Sequence, residues 1–158
     1  MFVLWLVMVA LAGYLLGSVL FGVLVSKTMY NEDVRDHGSG NAGMTNVLRT
    51  YGALPAILTI VATWERAWRQ PIWAICCLQR SLAQTARLDP VCGAYLAAIF
   101  CMIGHSRPLY FSFKGGKCVL VGAGAALSIS PLVCLVLLVV FLVQFAFSRI
   151  VSLGSIMV

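Results

Sequence analysis

The sequence predicts an all-α, polytopic integral membrane protein, a helical bundle with about five hydrophobic segments. Of its 158 residues, 61% are hydrophobic and only 10% are charged, whereas soluble domains carry about a quarter charged residues. Residues 1–26 and 118–148 contain no charged residue, and the first run exceeds the roughly 20 apolar residues that cross a bilayer. The composition excludes an ordinary soluble globule and a disordered chain, and it predicts a single membrane domain over 1–158.

The apolar runs predict the helices in order along the chain. No Lys or Arg precedes the first run, so it is not a cleavable signal peptide and we expect it to remain as a helix. Within it, Gly13-x-x-x-Gly17, followed by Gly22, offers a small-residue strip for close helix packing. In the last run we expect a break at Ser128-Ile-Ser-Pro131, because proline disfavours helix in the residue before it.

Basic residues predict the orientation in the membrane. Lys and Arg lie in or beside polar loops near 28–46 and 105–117, and Arg149 opens a third loop. The positive-inside tendency predicts that all three loops face the cytoplasm and that the N-terminus lies outside. Residues 47–104 and 118–148 must then each cross the membrane and return.

The charge balance and the cysteines limit the partners. Eleven Lys+Arg against five Asp+Glu give +6, which in a membrane protein favours anionic headgroups or phosphates. No basic run with interleaved aromatic residues appears, so we expect no nucleic acid partner. The six cysteines show no spacing suited to zinc, and we expect neither a metal nor a cofactor.

The first loop has the composition of an anion-binding turn. It reads Asp36-His-Gly-Ser-Gly-Asn-Ala-Gly-Met-Thr-Asn-Val-Leu-Arg49. Glycines permit close backbone approach, and hydroxyls, amides and N–H groups can converge on an oxyanion. A helix resuming near Asn46 would present its N-terminus there, and Arg49 could add a bidentate contact. The alternative is a polar interhelical turn with incidental glycines.

The second loop resembles another anion cradle. In Gly104-His-Ser-Arg-Pro-Leu-Tyr-Phe-Ser-Phe-Lys-Gly-Gly-Lys117, two lysines bracket two glycines just before a helix. It is not a nucleotide P-loop, because Phe111 and Cys118 stand where that motif needs Gly and Ser or Thr. The alternative is a pair of lysines that snorkel at the membrane interface.

Three segments resemble the three motifs of the bacterial acyl-phosphate-dependent glycerol-3-phosphate acyltransferases, the membrane enzymes of phospholipid synthesis. They are Gly38-Ser-Gly-Asn-Ala-Gly-Met-Thr-Asn-Val-Leu-Arg49, Gly104-His-Ser-Arg-Pro with Phe113-Lys-Gly-Gly-Lys117, and Val151-Ser-Leu-Gly-Ser-Ile156. Order and spacing are both kept, and the resemblance covers most of the chain except 62–90.

The resemblance implies transfer of an acyl group from acyl phosphate to the 1-hydroxyl of sn-glycerol 3-phosphate, giving lysophosphatidic acid and phosphate. It implies a location in the bacterial inner (cytoplasmic) membrane and, as a further expectation, transient contact with the enzyme that produces acyl phosphate. Ser39 and Arg49 match catalytic and phosphate-contacting positions. The candidate substrate-binding residues are Gly38, Gly40, Asn41, Thr45, Asn46, His105, Lys114, Gly115, Gly116, Lys117 and Ser152.

The chemistry needs no covalent nucleophile. Acyl phosphate is an activated mixed anhydride, so orientation and charge stabilisation could supply much of the acceleration. The resemblance implies that the substrate's own phosphate acts as the base. His37 and His105 are the titratable candidates, and we favour structural roles for both; neither begins a His-x4-Asp motif, since Ala42 and Tyr110 stand at the fifth positions.

Two rival functions stay open. A non-catalytic membrane fragment with anion-binding loops is the main alternative. A transporter is third, because the glycine-lysine motifs lie at helix ends and not within paired broken helices at the membrane midplane.

Residues 62–90 depart from the resemblance. They contain three of the four tryptophans and four arginines, and a central Arg costs roughly 2.5–3.5 kcal/mol in a spanning helix. The family's Asp-x-x-Lys-Gly stands near here, where this chain has Thr63-Trp-Glu-Arg-Ala67. Reverse translation of residues 62–77, read one base earlier, allows Gly-Asp-Met-Gly-Lys-Gly followed by an apolar span. We therefore hypothesise a local frameshift in the source gene or its sequencing.

The end of the sequence is the second departure. The family continues past the third motif into a further helix and a charged segment whose His and Asn contribute to the site, and nothing here matches them. We therefore expect a C-terminally truncated chain whose activity is lost or severely impaired.

Overall fold

The computed structural model describes residues 2–82 and 90–148. The described residues form α-helices and two short 3-10 turns without strands, so the all-helical prediction is confirmed. The helices are α1 (Phe2–Gly17), α2 (Phe21–Tyr30), α3 (Met44–Tyr51), α4 (Ala53–Leu82), α5 (Pro90–Ser106), α6 (Val119–Ile129) and α7 (Pro131–Ser148). The two 3-10 turns are Val34–Asp36 and Leu109–Phe111. How many of these elements cross the membrane stays a prediction.

The first apolar run is helical, as expected, but it is interrupted at residues 18–20 between α1 and α2. Taken together, the stretch Val3–Tyr30 is 28 residues long, and it is the one described helical stretch whose length and apolar composition suffice to cross a membrane. Its large side chains are mostly exposed, among them Val3, Leu4 and Leu11. This exposure is what a lipid-facing surface requires, since lipid tails are as apolar as leucine.

The glycine strip of α1 packs against α5. A Cβ on Gly13 would lie 3.0 Å from the Ala97 carbonyl oxygen, and one on Gly17 would collide with the backbone of Cys101. Gly104 of α5 meets the Tyr14 carbonyl oxygen in the same way. Small residues therefore bring the two parallel backbones into direct contact, and the packing role predicted for Gly13 and Gly17 is confirmed. Gly22, the third glycine of the predicted strip, lies in α2 and packs against the Ala42 carbonyl oxygen of the first loop.

The arginines of residues 62–90 disfavour a spanning helix. The structure nevertheless has a helix over 62–82, which forms the second part of α4. Two polar side chains of its described part have partners: Gln70 donates from Nε2 to the Gly13 carbonyl oxygen at 2.9 Å, and exposed Arg69 pairs with Glu65 at 3.1 Å. Residues 83–89 lie outside the described residues. The frameshift is a statement about the gene and stays a hypothesis.

The last apolar run breaks where the sequence predicts. Helix α6 ends at Ile129, Ser130 is extended, and α7 begins at Pro131. The Cys134 thiol lies 3.5 Å from the carbonyl oxygen of Ala123. Since these residues stand on opposite sides of the break, α7 folds back along α6.

Candidate active site

The buried side chain of Asn46 holds the first loop together by hydrogen bonds. Its side chain is 1% exposed. The Nδ2 amide donates to the carbonyl oxygens of Val34, His37 and Asn41 at 2.8–3.0 Å, and Oδ1 accepts the Ser39 N–H at 2.9 Å. Buried polar groups need such partners. Asn46, predicted from the sequence as a substrate contact, therefore has its hydrogen-bonding groups occupied by the loop itself.

Ser39 is an exposed residue of this loop. Gly38 and Gly40, on either side, adopt left-handed backbone angles with φ of 57° and 69°. A Cβ on Gly38 would collide with Asn46 Oδ1, so the position favours glycine for both conformation and space. The serine hydroxyl is thereby held at the surface on a backbone that buried Asn46 fixes.

The remaining candidate residues of the first loop lie around the start of α3, except Arg49, which lies in its last turn. The N-cap is Gly43, with no side-chain cap, and its N–H is held at 3.0 Å by Asn41 Oδ1. Thr45 is partly buried in the first turn and Arg49 is exposed in the last. An uncapped N-terminus leaves backbone donors and the positive end of the helix dipole available to an anion.

Arg35 joins the first loop to the second. From Nη1 it donates to the carbonyl oxygens of Phe111 at 2.9 Å and Lys114 at 3.1 Å. From Nε and Nη2 it binds both oxygens of Asp33 at 3.0 and 2.7 Å. The Arg35 side chain and its hydrogen bonds hold the pKa of Asp33 below the usual value. The two loops that the sequence analysis singled out are therefore neighbours.

The second loop closes over the end of α5. Gly116 donates its N–H to the His105 carbonyl oxygen at 3.0 Å. A Cβ on Gly115 would collide with that oxygen, and one on Gly116 would lie 2.5 Å from His105 Nε2. Glycine at both positions lets the backbone lie on the histidine, while the Lys114 and Lys117 side chains are exposed on the outside.

One residue of the interval 62–90 contacts the end of α5 beneath this loop. Arg66 of α4 donates from Nη1 to the carbonyl oxygens of Leu16, Gly17 and Val19 at the break between α1 and α2. Its Nη2 lies 3.3 Å from His105 Nδ1. The Arg66 guanidinium of α4 therefore contacts both the break between α1 and α2 and the end of α5.

Arg35 and Arg66 are the residues that the sequence analysis did not assign to the site. In the sequence, Arg35 is one of the basic residues near 28–46 that predict the membrane orientation, and Arg66 is one of the four arginines that disfavour a spanning helix over 62–90. The Asp33-x-Arg35 spacing could have indicated a local ion pair, but no sequence signal identifies the partners 76 and 79 positions away. Ser152 of the third motif lies outside the described residues.

Comparisons with known proteins identify the family. The family model for glycerol-3-phosphate acyltransferase matches residues 7–158. The glycerol-3-phosphate acyltransferase of Synechococcus elongatus is 41% identical over 153 residues, covering 95% of this chain and 70% of that protein. The one from Clostridioides difficile is 35% identical over 150 residues, covering 95% and 71%.

Two solved structures that resemble this chain belong to the same family of proteins. The crystal structure of PlsY (YgiH), an integral membrane glycerol 3-phosphate acyltransferase, in its glycerol 3-phosphate form matches with a TM-score of 0.77 at 31% identity, covering 96% of this chain and 71% of that chain. The lysophosphatidic acid form gives 0.75 at 30% identity, covering 96% and 70%. The resemblance read from the motifs and the membrane class are confirmed: this chain belongs to the glycerol-3-phosphate acyltransferase family.

Proposed function

We propose that the chain transfers an acyl group from acyl phosphate to the 1-hydroxyl of sn-glycerol 3-phosphate, giving lysophosphatidic acid and free phosphate. The single observation that carries the proposal is the link from Arg35 to the carbonyl oxygens of Phe111 and Lys114. It makes the two loops that we propose to bind phosphate adjacent, as a reaction between two phosphorylated substrates requires. Names of the family's members supply glycerol 3-phosphate as the acceptor.

The reaction is an acyl substitution in which atoms and charges balance. The glycerol hydroxyl oxygen bonds to the acyl carbonyl carbon, and the carbon–oxygen bond to phosphate breaks, with its electron pair leaving on phosphate. The hydroxyl proton passes to a phosphate oxygen of the acceptor. Positioning two substrates in this way converts a bimolecular step into an effectively unimolecular one.

The exposed residues of the two loops supply the charge that this step needs. Ser39 would contact the reacting centre, and Arg49 would hold a phosphate by bidentate hydrogen bonds. Lys114 and Lys117, with the backbone of Gly115 and Gly116, would bind the glycerol phosphate. Cations and N–H groups fixed before the reaction stabilise the developing charge without reorganisation.

The membrane setting follows the family. Similarity to an integral membrane protein supports a membrane location, and we propose that the loops face the cytoplasm of the bacterial inner membrane. There they can meet soluble glycerol 3-phosphate, while acyl phosphate arrives from the enzyme that makes it. Acyl-chain insertion from the bilayer would leave the reacting end at the polar loops.

Phosphate release from acyl phosphate tests the proposal. We expect release to require glycerol 3-phosphate and to fall at least about 100-fold in Ser39→Ala and Arg49→Ala, since one fixed polar contact in a transition state is worth that much. Thr28→Val is the matched control, because its hydroxyl only bonds to the carbonyl oxygens of α2. Release without the acceptor would indicate hydrolysis, and binding of glycerol 3-phosphate without release would favour the non-catalytic alternative.

A further inference from the structure

Arg66 occupies the junction of three elements next to the proposed site. Its Nη1 donates to Leu16 and Gly17 carbonyl oxygens at 2.9 and 3.0 Å, and to that of Val19. Its guanidinium also lies 5.4 Å from the centre of the Phe21 ring. A half-buried cation needs such acceptors, because removal from water is costly without hydrogen bonds.

The acceptors exist because the first apolar run is broken. The last carbonyl groups of a helix lack partners within it and carry the negative end of the helix dipole. Helix α1 ends at Gly17 and α2 begins at Phe21, so the carbonyls of 16, 17 and 19 are available to a donor. The planar guanidinium has several donors in a fixed fork and fits this cluster better than a lysine would.

The other edge of Arg66 meets His105. A guanidinium only donates hydrogen bonds, so the 3.3 Å contact to Nδ1 requires that this nitrogen accepts. The neutral ring then carries its proton on Nε2. That nitrogen lies beside Gly116, whose N–H is bonded to the His105 carbonyl oxygen.

We propose that Arg66 is a positioning residue for the Gly115–Gly116 loop, acting through His105. It holds the imidazole against the loop with the Nε2 donor on the loop side, and it ties the end of α5 to the break between α1 and α2. The proposal deepens the proposed function and rests on it for the identity of the ligand, glycerol 3-phosphate. It gives a residue of the interval 62–90 a role at the site.

Two substitutions and a control test the role. Arg66→Ala removes every contact, and Arg66→Lys keeps the charge but cannot span the carbonyls and His105 together. Arg69→Ala, one helix turn away, removes an exposed arginine paired with Glu65. Each chain is purified whole in detergent and assayed for the Michaelis constant of glycerol 3-phosphate, for kcat, and for amide hydrogen exchange.

We expect Arg66→Ala to raise KM for glycerol 3-phosphate about tenfold. The KM for acyl phosphate and kcat should change less than about threefold, because the residue acts on one loop. Amides of 105–118 should exchange faster, while those of α3 stay protected. Arg66→Lys should recover part of both effects, and Arg69→Ala should match the wild type.

The outcomes separate the two proposals. Amide exchange needs no substrate, so faster exchange at 105–118 in a chain that neither binds nor acylates glycerol 3-phosphate would contradict the function and leave the positioning role standing. Wild-type exchange and wild-type KM in the variants would overturn the positioning role. A uniform rise in exchange across all helices would also overturn it, as a general loss of stability. If Arg66→Ala fails to fold, the same comparisons are made with Arg66→Lys.

Discussion

At the scale of single residues, the first loop separates residues that hold the site from residues that can touch a ligand. The sequence predicts a tight polar loop from its glycines, hydroxyls and amides, and the structure has one. It could not distinguish Asn41 from Asn46, because both are loop asparagines of the same chemistry. Only the fold shows that the Asn46 amide donates its hydrogen bonds to the carbonyl oxygens of Val34, His37 and Asn41.

Asn46→Ala should lower the free energy of unfolding by about 2–3 kcal/mol, because it leaves the buried Val34 carbonyl and three part-buried backbone groups without their partner. Thermal unfolding in detergent measures the change. Asn31→Gly is the control: that exposed residue has φ of 57° at the end of α2, where glycine is well accommodated. Equal melting temperatures for Asn46→Ala and the wild type would contradict the bracing role.

At the scale of elements, glycine spacing predicted the packing surface of α1 but not its partner. A Gly-x-x-x-Gly strip permits close approach by any helix, and the choice of α5 depends on the tertiary arrangement of 97–104 with 13–17. The interval 62–90 likewise shows that a sequence does not predict which partners a buried arginine finds. The cost assigned to a central arginine assumes exposure to lipid, whereas Arg66 donates to the carbonyl oxygens of Leu16 and Gly17 at the α1–α2 break.

Gly17→Leu should destabilise the chain by about 3 kcal/mol, since the new side chain would meet the Cys101 backbone and force α1 and α5 apart. Gly122→Ala is the matched control. A Cβ there would have only Met102 Cε near it, at 3.7 Å, and alanine is the better helix former. Thermal unfolding of both variants distinguishes them, and a tolerated Gly17→Leu would contradict the close packing.

At the scale of the whole molecule, the order of motifs along the chain predicted a common site, and Arg35 makes the first two loops neighbours. Residue spacing could not supply this distance, because it depends on how α1, α4 and α5 pack. Ser152 and the rest of the third motif lie outside the described residues. Their place at the site stays a prediction.

The frameshift hypothesis also belongs to the whole chain. It predicts that the source DNA across codons 60–90 does not carry the printed frame intact, and that the reading one base earlier, which gives an apolar segment, returns to the printed frame near residue 90. Resequencing of the gene measures this directly. An intact printed frame in the source DNA would contradict the hypothesis. The role proposed for Arg66 belongs to the chain with the present sequence and is tested on that chain whichever reading the gene contains.

The most direct test of the central claim is transfer of label from radiolabelled glycerol 3-phosphate into lysophosphatidic acid. The purified chain in lipid vesicles is given acyl phosphate as the sole donor, beside the Synechococcus elongatus relative. The account predicts labelled lysophosphatidic acid in equimolar amount with released phosphate, more slowly than from the relative, and none from Ser39→Ala. No labelled product from this chain, while the relative turns over under the same conditions, would contradict the proposed acyl transfer and would agree with the alternative named from the sequence, a non-catalytic membrane protein.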